Sequence, residues 1–374
     1  MPGNVPGGGH LGTLEIMDLL RPYGFEPIAV VNHKESYIIE LMREYAISSV
    51  FIPGDPGLLM RNIPQFLNQV FLFWKTVKRE KISLLHLSDV ITGHYGILAA
   101  RLARIPSILH MKSLYWTKEY GWPNRRILSQ ASMILAISDA VHKACLEARL
   151  PEDRIVTIHD GVDLKHFYVK EAMGLKVRSD MGIAEDRFVI GFVGRLGVQW
   201  KNEPLVYRLV GELSQHTENL SLLVLGGPYD GKSETFEKSK RLAKKLGGKA
   251  EIRFLGSRSD VPALLSAMDV YLVPSKEEPF GRVVIEGMAA GLAVVGSNNG
   301  GIPEMISDGH DGFLRSPNDL DGWIGIVKTL MEDKELRKRI GKNARNTVED
   351  YFTLDRMIEK VAKIYFNLLK AADD

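Results

Sequence analysis

The sequence is poor in cysteine: Cys145 is the only one in 374 residues. A single thiol excludes an intramolecular disulfide framework and any all-cysteine metal cluster within the chain, and it suits a reducing, cytoplasmic compartment. Net charge is nearly absent too, since 48 Lys and Arg face 46 Asp and Glu for a formal +2. Such a balance supplies no general electrostatic reason to bind a nucleic-acid backbone. No run reaches the ~18–20 apolar residues that a membrane-spanning helix needs. The opening Met1-Pro2-Gly3-Asn4-Val5-Pro6 lacks the basic and apolar regions of a secretory signal. None of the ten histidines pairs with another at metal-ligand spacing on a helix, so no metal site is expected. What is present is ordinary globular composition, 45% hydrophobic and 25% charged. The length suits two cores of roughly 150–200 residues.

Short β-branched runs alternate with amphipathic helical stretches from end to end. In the first half residues 27–32, 49–53, 82–87, 107–111, 133–138 and 154–160 read as strands, with helices over 11–23, 35–46, 95–104 and 140–149. Near-continuous apolar runs such as Ile28-Ala29-Val30-Val31 mark parallel strands buried on both faces. A polar, irregular stretch follows Phe167 through about Arg178, and then the alternation restarts. Strands are expected over 188–194, 221–226, 251–255, 270–274 and 293–297, and helices over 203–215, 233–246, 283–290, 320–332 and 334–348. Strand–helix–strand repetition implies right-handed crossovers and doubly wound sheets. The expected organisation is therefore two similar α/β domains, 1–175 and 176–353, plus a closing amphipathic helix within 354–374. One departure stands out. The chain opens in a glycine- and proline-rich loop and a helix, so either the first strand is missing from this chain or the sheet is built without one.

Gly7-Gly8-Gly9-His10-Leu11-Gly12 formally matches G-x-G-x-x-G. A dinucleotide fingerprint, however, follows a strand and carries an acid at the end of the next one, where this chain has Asn32. An NAD-dependent dehydrogenase is accordingly a third-ranked reading. A glycine-rich loop before a helix still suits an anion, through Gly9 and the helix N-terminus. The segment 274–286 is more informative. An apolar strand ends at Pro274, Glu278 lies in a polar loop, and a helix starting near Gly281 places Glu286 in its second turn. A helix N-terminus between two carboxylates suits a diphosphate, with each carboxylate accepting hydrogen bonds from hydroxyls on one side of it. That describes a nucleotide sugar; the plainer alternative is a helix-start Glu and a solvated Glu. Arg195 and Lys201 follow the strand over 188–194, where ligands of open α/β sheets bind. Asp319-Leu320-Asp321 reads as a helix cap rather than a metal motif.

Together, Phe254-Leu255-Gly256, Asp260-Val261-Pro262, Pro274-Ser275, Glu278-Pro279-Phe280-Gly281, Glu286-Gly287, Gly300-Gly301-Ile302-Pro303-Glu304 and Gly312-Phe313 resemble the retaining glycosyltransferases of family 4. Glu278 and Glu286 meet that family's E-x7-E element, and Gly161-Val162-Asp163, Phe167 and the glycine-rich start extend the likeness over nearly the whole chain. The resemblance implies a GT-B fold, two Rossmann-like domains facing an interdomain cleft, with the closing helix crossing back onto the first. It implies transfer of a hexose from a nucleotide-diphosphate sugar to a hydroxyl acceptor (glycan, lipid-linked or small molecule), with no cofactor or metal. Carried over, Arg195 and Lys201 bind the diphosphate, and Glu278 holds sugar hydroxyls. The backbone of Phe280, Gly281, Arg282 and Val283 approaches sugar and phosphate, Glu286 binds ribose, and His110 lies near the reacting sugar. The Arg195-to-Lys201 spacing is one residue longer than the family's. Rival readings are a nucleotide-sugar epimerase using the same donor cleft and a catalytically silent scaffold.

Phe66, Leu67, Val70, Phe71, Phe73 and Trp74 precede Lys75, Lys78, Arg79 and Lys81. This stretch fits either a helix covering the first sheet or peripheral contact with the inner face of an anionic membrane. Tyr115, Trp116, Tyr120 and Trp122 suit an acceptor-facing loop or an interdomain plug.

Overall fold

The structure is a computed structural model and describes residues 8–31, 37–53, 62–114, 122–167 and 171–373. It divides into two compact units: Gly161–Leu354, and residues up to Asp160 together with Asp355–Asp374. The aromatic loop 115–121 lies outside the described residues.

In the amino-terminal unit, helix α1 (Gly8–Leu19) precedes β1 (Ile28–Val31), α2 (Tyr37–Glu44), β2 (Ser48–Phe51) and α3 (Ile63–Arg79). Gly9 thus falls in the first helical turn rather than in a loop. There follow β3 (Leu85–Leu87), α4 (Val90–Ala103), β4 (Ser107–Met111), α5 (Trp122–Leu128), β5 (Met133–Ala136), α6 (Asp139–Glu147) and β6 (Ile155–Thr157). Strand pairing is parallel throughout, but in two sheets, β1–β2 and β3–β4–β5–β6. A doubly wound order calls for a strand between β1 and β3, and no described strand takes that place. Both sheets pack on α3 and α4, through Ile52 with Phe73 and Tyr95, and through Leu85 with Val77 and Ala100. Val30 is in register with the half-buried Val50 and is itself exposed. Side chains satisfy the orphan donors of the helix starts: Asp89 accepts from the Thr92 amide, and Ser138 from that of Val141.

The second unit opens with α7 (Glu171–Asp180), where the sequence suggested irregular chain. Tertiary contact explains it. Gly174 lies so close to the Ser266 carbonyl that a Cβ would sit 2.2 Å from the oxygen. The buried Arg178 donates to the carbonyls of Ala267, Glu185 and Arg187 and pairs with Asp269 at 2.7 Å. The boundary accordingly falls before Gly161, not near 175. There Val162 donates to the Phe352 carbonyl and accepts from the Leu354 amide, so the chain's entry and exit run side by side.

Six strands follow: β7 (Phe188–Val193), β8 (Leu220–Leu225), β9 (Glu251–Gly256), β10 (Val270–Val273), β11 (Ala293–Ser297) and β12 (Phe313–Arg315). They are linked by α8 (Glu203–Leu213), α9 (Ser233–Leu246), α10 (Val261–Leu265) and α11 (Arg282–Ala289), and closed by α12 (Leu320–Glu332) and α13 (Lys334–Tyr351). The parallel order β12–β11–β10–β7–β8–β9 is that of a doubly wound Rossmann sheet. Every residue of β8, β10 and β11 is buried, because helices cover both faces. Asp319 caps α12 by accepting from the Gly322 amide, the role read from its sequence context. The final helix α14 (Leu354–Asp373) belongs to the amino-terminal unit, where Phe25 meets Tyr365 edge-on at 5.1 Å. No helix among the described residues is long and apolar enough to cross a membrane.

Candidate active site

The order of the second sheet reverses between β7 and β10. In open α/β sheets the segments leaving the carboxyl ends of two such strands diverge to opposite faces and leave a crevice between them. The sequence places Arg195 just beyond β7 and Glu278 just beyond β10.

Arg195 is exposed and makes no hydrogen bond or ion pair with a described residue. Lys201 stands at the end of a 3-10 turn, before Asn202, whose φ of 55° bends the chain into α8. Its Nζ lies 2.6 Å from Glu278 Oε2, with the two side chains 16% and 12% exposed. Ser275, buried at the strand end, donates from Oγ to the same carboxylate oxygen at 3.0 Å. The backbone fixes the loop as well. Gly301 donates to the Glu278 carbonyl, Lys276 to that of Trp200, and the Ser297 hydroxyl to that of Ser275. Gly300, at φ +62°, comes so close that a Cβ would sit 2.2 Å from the Glu278 carbonyl oxygen. Sequence reading quoted Ser275 only within a motif, without its bond to Glu278, and missed Ser297; the signal for each was a polar residue at the end of an apolar strand.

Gly281, at φ +105°, turns the loop into α11 and, as its N-cap residue, offers no side chain to cap that helix start. The Val284 amide donates to the Gly281 carbonyl, while Phe280 is buried against Phe352. Glu286 lies in the second turn, half-buried, 3.8 Å from Arg282 Nε. Burial raises the Tyr271 hydroxyl well above its ordinary range, and the negative charges of Glu286 and Glu278 add to the effect. The structure thus brings Lys201 and Glu278 into contact, with Glu286 one helical turn beyond and Arg195 across the switch point. An exposed cation, a helix N-terminus and two carboxylates can hold an anionic group flanked by hydroxyls.

Two profiles match the chain: Glycosyltransferase Family 4 over residues 6–166 and Glycosyl transferases group 1 over residues 176–347. The chain belongs to the group 1 glycosyl transferases. The Corynebacterium glutamicum D-inositol 3-phosphate glycosyltransferase is 30% identical over 292 residues, 71% of this chain and 68% of its own. The Escherichia coli UDP-Gal:alpha-D-GlcNAc-diphosphoundecaprenol alpha-1,3-galactosyltransferase is 26% identical over 353 residues, 90% of this chain and 88% of its own. The crystal structure of Anabaena HepE in complex with UDP superposes with a TM-score of 0.84 over 98% of both chains at 24% identity, showing the GT-B fold. The glycosyltransferase is therefore a nucleotide-sugar enzyme built from two Rossmann-like units.

Its remaining site candidates lie in the amino-terminal unit. His110 is the fourth residue of β4, 3% exposed, with Nδ1 3.0 Å from His86 Nε2. Gly9 is placed in α1. Cys145 is buried, which pushes its thiol up to about 12 and removes it as a nucleophile.

Proposed function

We infer that the enzyme transfers a hexose from a UDP-sugar to a hydroxyl acceptor, with retention at the anomeric carbon. The observation that carries this reading is the contact of Lys201 with Glu278 beside the α11 N-terminus, at the switch point of the second sheet. In this reading Arg195, Lys201 and the amides of α11 take the diphosphate, and the backbone of 280–283 lies along phosphate and sugar. Glu278 accepts from hexose hydroxyls and Glu286 from the ribose. Lys201 must then share Glu278 with the incoming anion. Catalysis is electrostatic: fixed cations and amides stabilise the charge that develops on the leaving diphosphate. Its departing oxygen takes the acceptor's proton, so the new bond forms on the face the diphosphate leaves. Because protein cations supply the charge, activity should survive EDTA. The uridine assignment is supported by the UDP-Gal enzyme of Escherichia coli and by the UDP bound to HepE. A thermal-shift screen of UDP-, GDP- and ADP-sugars tests it. A UDP-sugar at 100 times its dissociation constant should stabilise by about 2.7 kcal/mol, and a shift with GDP- or ADP-sugars alone refutes it.

The acceptor side suits a membrane surface. On α3, Ile63, Leu67 and Phe71 recur every fourth residue and are exposed, beside exposed Lys75 and Lys78. No carboxylate lies within the helix; the next, Glu80, pairs with Arg79. An apolar stripe edged by cations lies flat on an anionic bilayer. Co-sedimentation with phosphatidylglycerol vesicles but not phosphatidylcholine vesicles, lost in Lys75→Glu/Lys78→Glu, is the expected result. Equal sedimentation of the parent and this variant would refute it.

A further inference from the structure

The face of the four-stranded sheet around His110 carries a three-residue chain of hydrogen bonds. His86, the middle residue of β3, is in register with Ile108 on β4. Side chains two residues apart on a strand share a face, so His86 and His110 project to the same side. His86 Nε2 lies 3.0 Å from His110 Nδ1, and His86 Nδ1 lies 2.6 Å from the Tyr365 hydroxyl on α14. The chain then stops: His110 Nε2 is buried and has no hydrogen-bond partner among the described residues.

Counting protons decides the direction of this chain. A neutral imidazole has one N–H donor and one bare nitrogen acceptor, and a phenol has one O–H. If His110 donated from Nδ1 to His86, then His86 would donate from Nδ1 to Tyr365. The Tyr365 proton would then have no acceptor among the described residues. Run the other way, both hydrogen bonds are made and one group is left over instead of two. Tyr365 donates to His86 Nδ1, His86 donates from Nε2 to His110 Nδ1, and the remaining proton sits on His110 Nε2. Burial and the nearby Lys112 ammonium hold both imidazoles below their ordinary range, consistent with neutral rings.

We propose that Tyr365 and His86 are positioning residues that fix His110 as a neutral donor, with its Nε2–H reserved for an oxygen of a bound substrate. This rests on the glycosyl-transfer reading, together with the site role that the family resemblance implies for His110. It also gives α14 a task in the amino-terminal unit beyond packing, because that helix supplies the hydroxyl that starts the chain. A His110 locked this way cannot serve as a base at Nε2. It can only donate, which suits a sugar or phosphate oxygen gaining charge as the donor bond breaks.

Long-range 1H–15N correlation on the full chain labelled with 15N-histidine reads the tautomer without any substrate. The parent should show His110 protonated at Nε2 and bare at Nδ1, and Tyr365→Phe should show mixed tautomers. Kinetics of UDP release from UDP-glucose, or from whichever UDP-sugar the screen selects, give the second readout. Tyr365→Phe and His86→Leu should lower kcat roughly 3- to 10-fold, the worth of one hydrogen bond, with donor KM unchanged. His86→Gln keeps an amide N–H for His110 Nδ1 and should recover most of the loss. A parent His110 protonated at Nδ1 overturns the proposal, as does Tyr365→Phe with unchanged tautomer and kcat. The expected tautomers combined with full activity in His110→Ala would leave the hydrogen-bond chain standing and overturn its service to the reaction.

Discussion

Breaking the Lys201–Glu278 pair from either side should cost similar stability and move UDP affinity in opposite directions. Nζ and Oε2 are 2.6 Å apart and both side chains are largely buried, so removing one partner strands the other charge. A fully buried pair broken this way costs about 3–5 kcal/mol. The residual exposure of both groups, and the Ser275 hydroxyl that Glu278 retains, reduce this to about 2–3 kcal/mol for Lys201→Ala or Glu278→Ala. The melting temperature should fall by about 5–10 °C in each. UDP then separates the variants. Lys201→Ala loses a charged contact to the diphosphate and should weaken UDP roughly 10- to 100-fold. Glu278→Ala releases Lys201 and removes a repelling carboxylate, and UDP has no hexose to miss it, so UDP should bind at least as tightly as to the parent. Isothermal titration calorimetry with UDP, alongside thermal melts, measures both. Equal weakening of UDP in the two variants, or parental melting temperatures in both, would refute the reasoning.

Glu278→Gln should chiefly depress kcat, because the sugar it holds is reacting, whereas Glu286→Gln should chiefly raise donor KM; steady-state kinetics distinguish them. Gly300→Ala forces a Cβ against the Glu278 carbonyl at a left-handed φ, and should cost about 1–3 kcal/mol in urea denaturation along with most donor binding. His86 should make the protein acid-labile. Burial and Lys112 push its folded pKa down to about 3 from 6.5. The unfolded chain therefore binds the proton more readily, so this contribution is complete above pH 6.5 and is lost as pH falls toward 3. By pH 5 it amounts to about 2 kcal/mol, and His86→Gln should remove that part of the stability difference between pH 7 and 5.

Much of the architecture could be read from local pattern. Apolar runs such as Leu222-Leu223-Val224-Leu225 are both-face-buried strands, and Val270 through Glu286 form the strand–loop–helix their composition suggests. What could not be read depends on distant contacts. Helix α7 carries Gly174 and alternating charges, and only Ser266 and Asp269 show why it is helical and why the unit begins before it. Lys201 looked like a free cation, yet its partner Glu278 lies 77 residues on. His86 reads as an ordinary strand residue between two leucines; Tyr365, its hydrogen-bond partner, is 279 residues away. The three-residue β12 was too short to show a period at all.

A crystal structure of the enzyme with UDP bound tests the central claim most directly. The account predicts the diphosphate at the carboxyl ends of β7 and β10, within hydrogen-bond distance of Arg195, Lys201 and the first amides of α11, with the ribose hydroxyls on Glu286. A diphosphate held elsewhere, with Arg195 and Glu286 both out of contact, would contradict it.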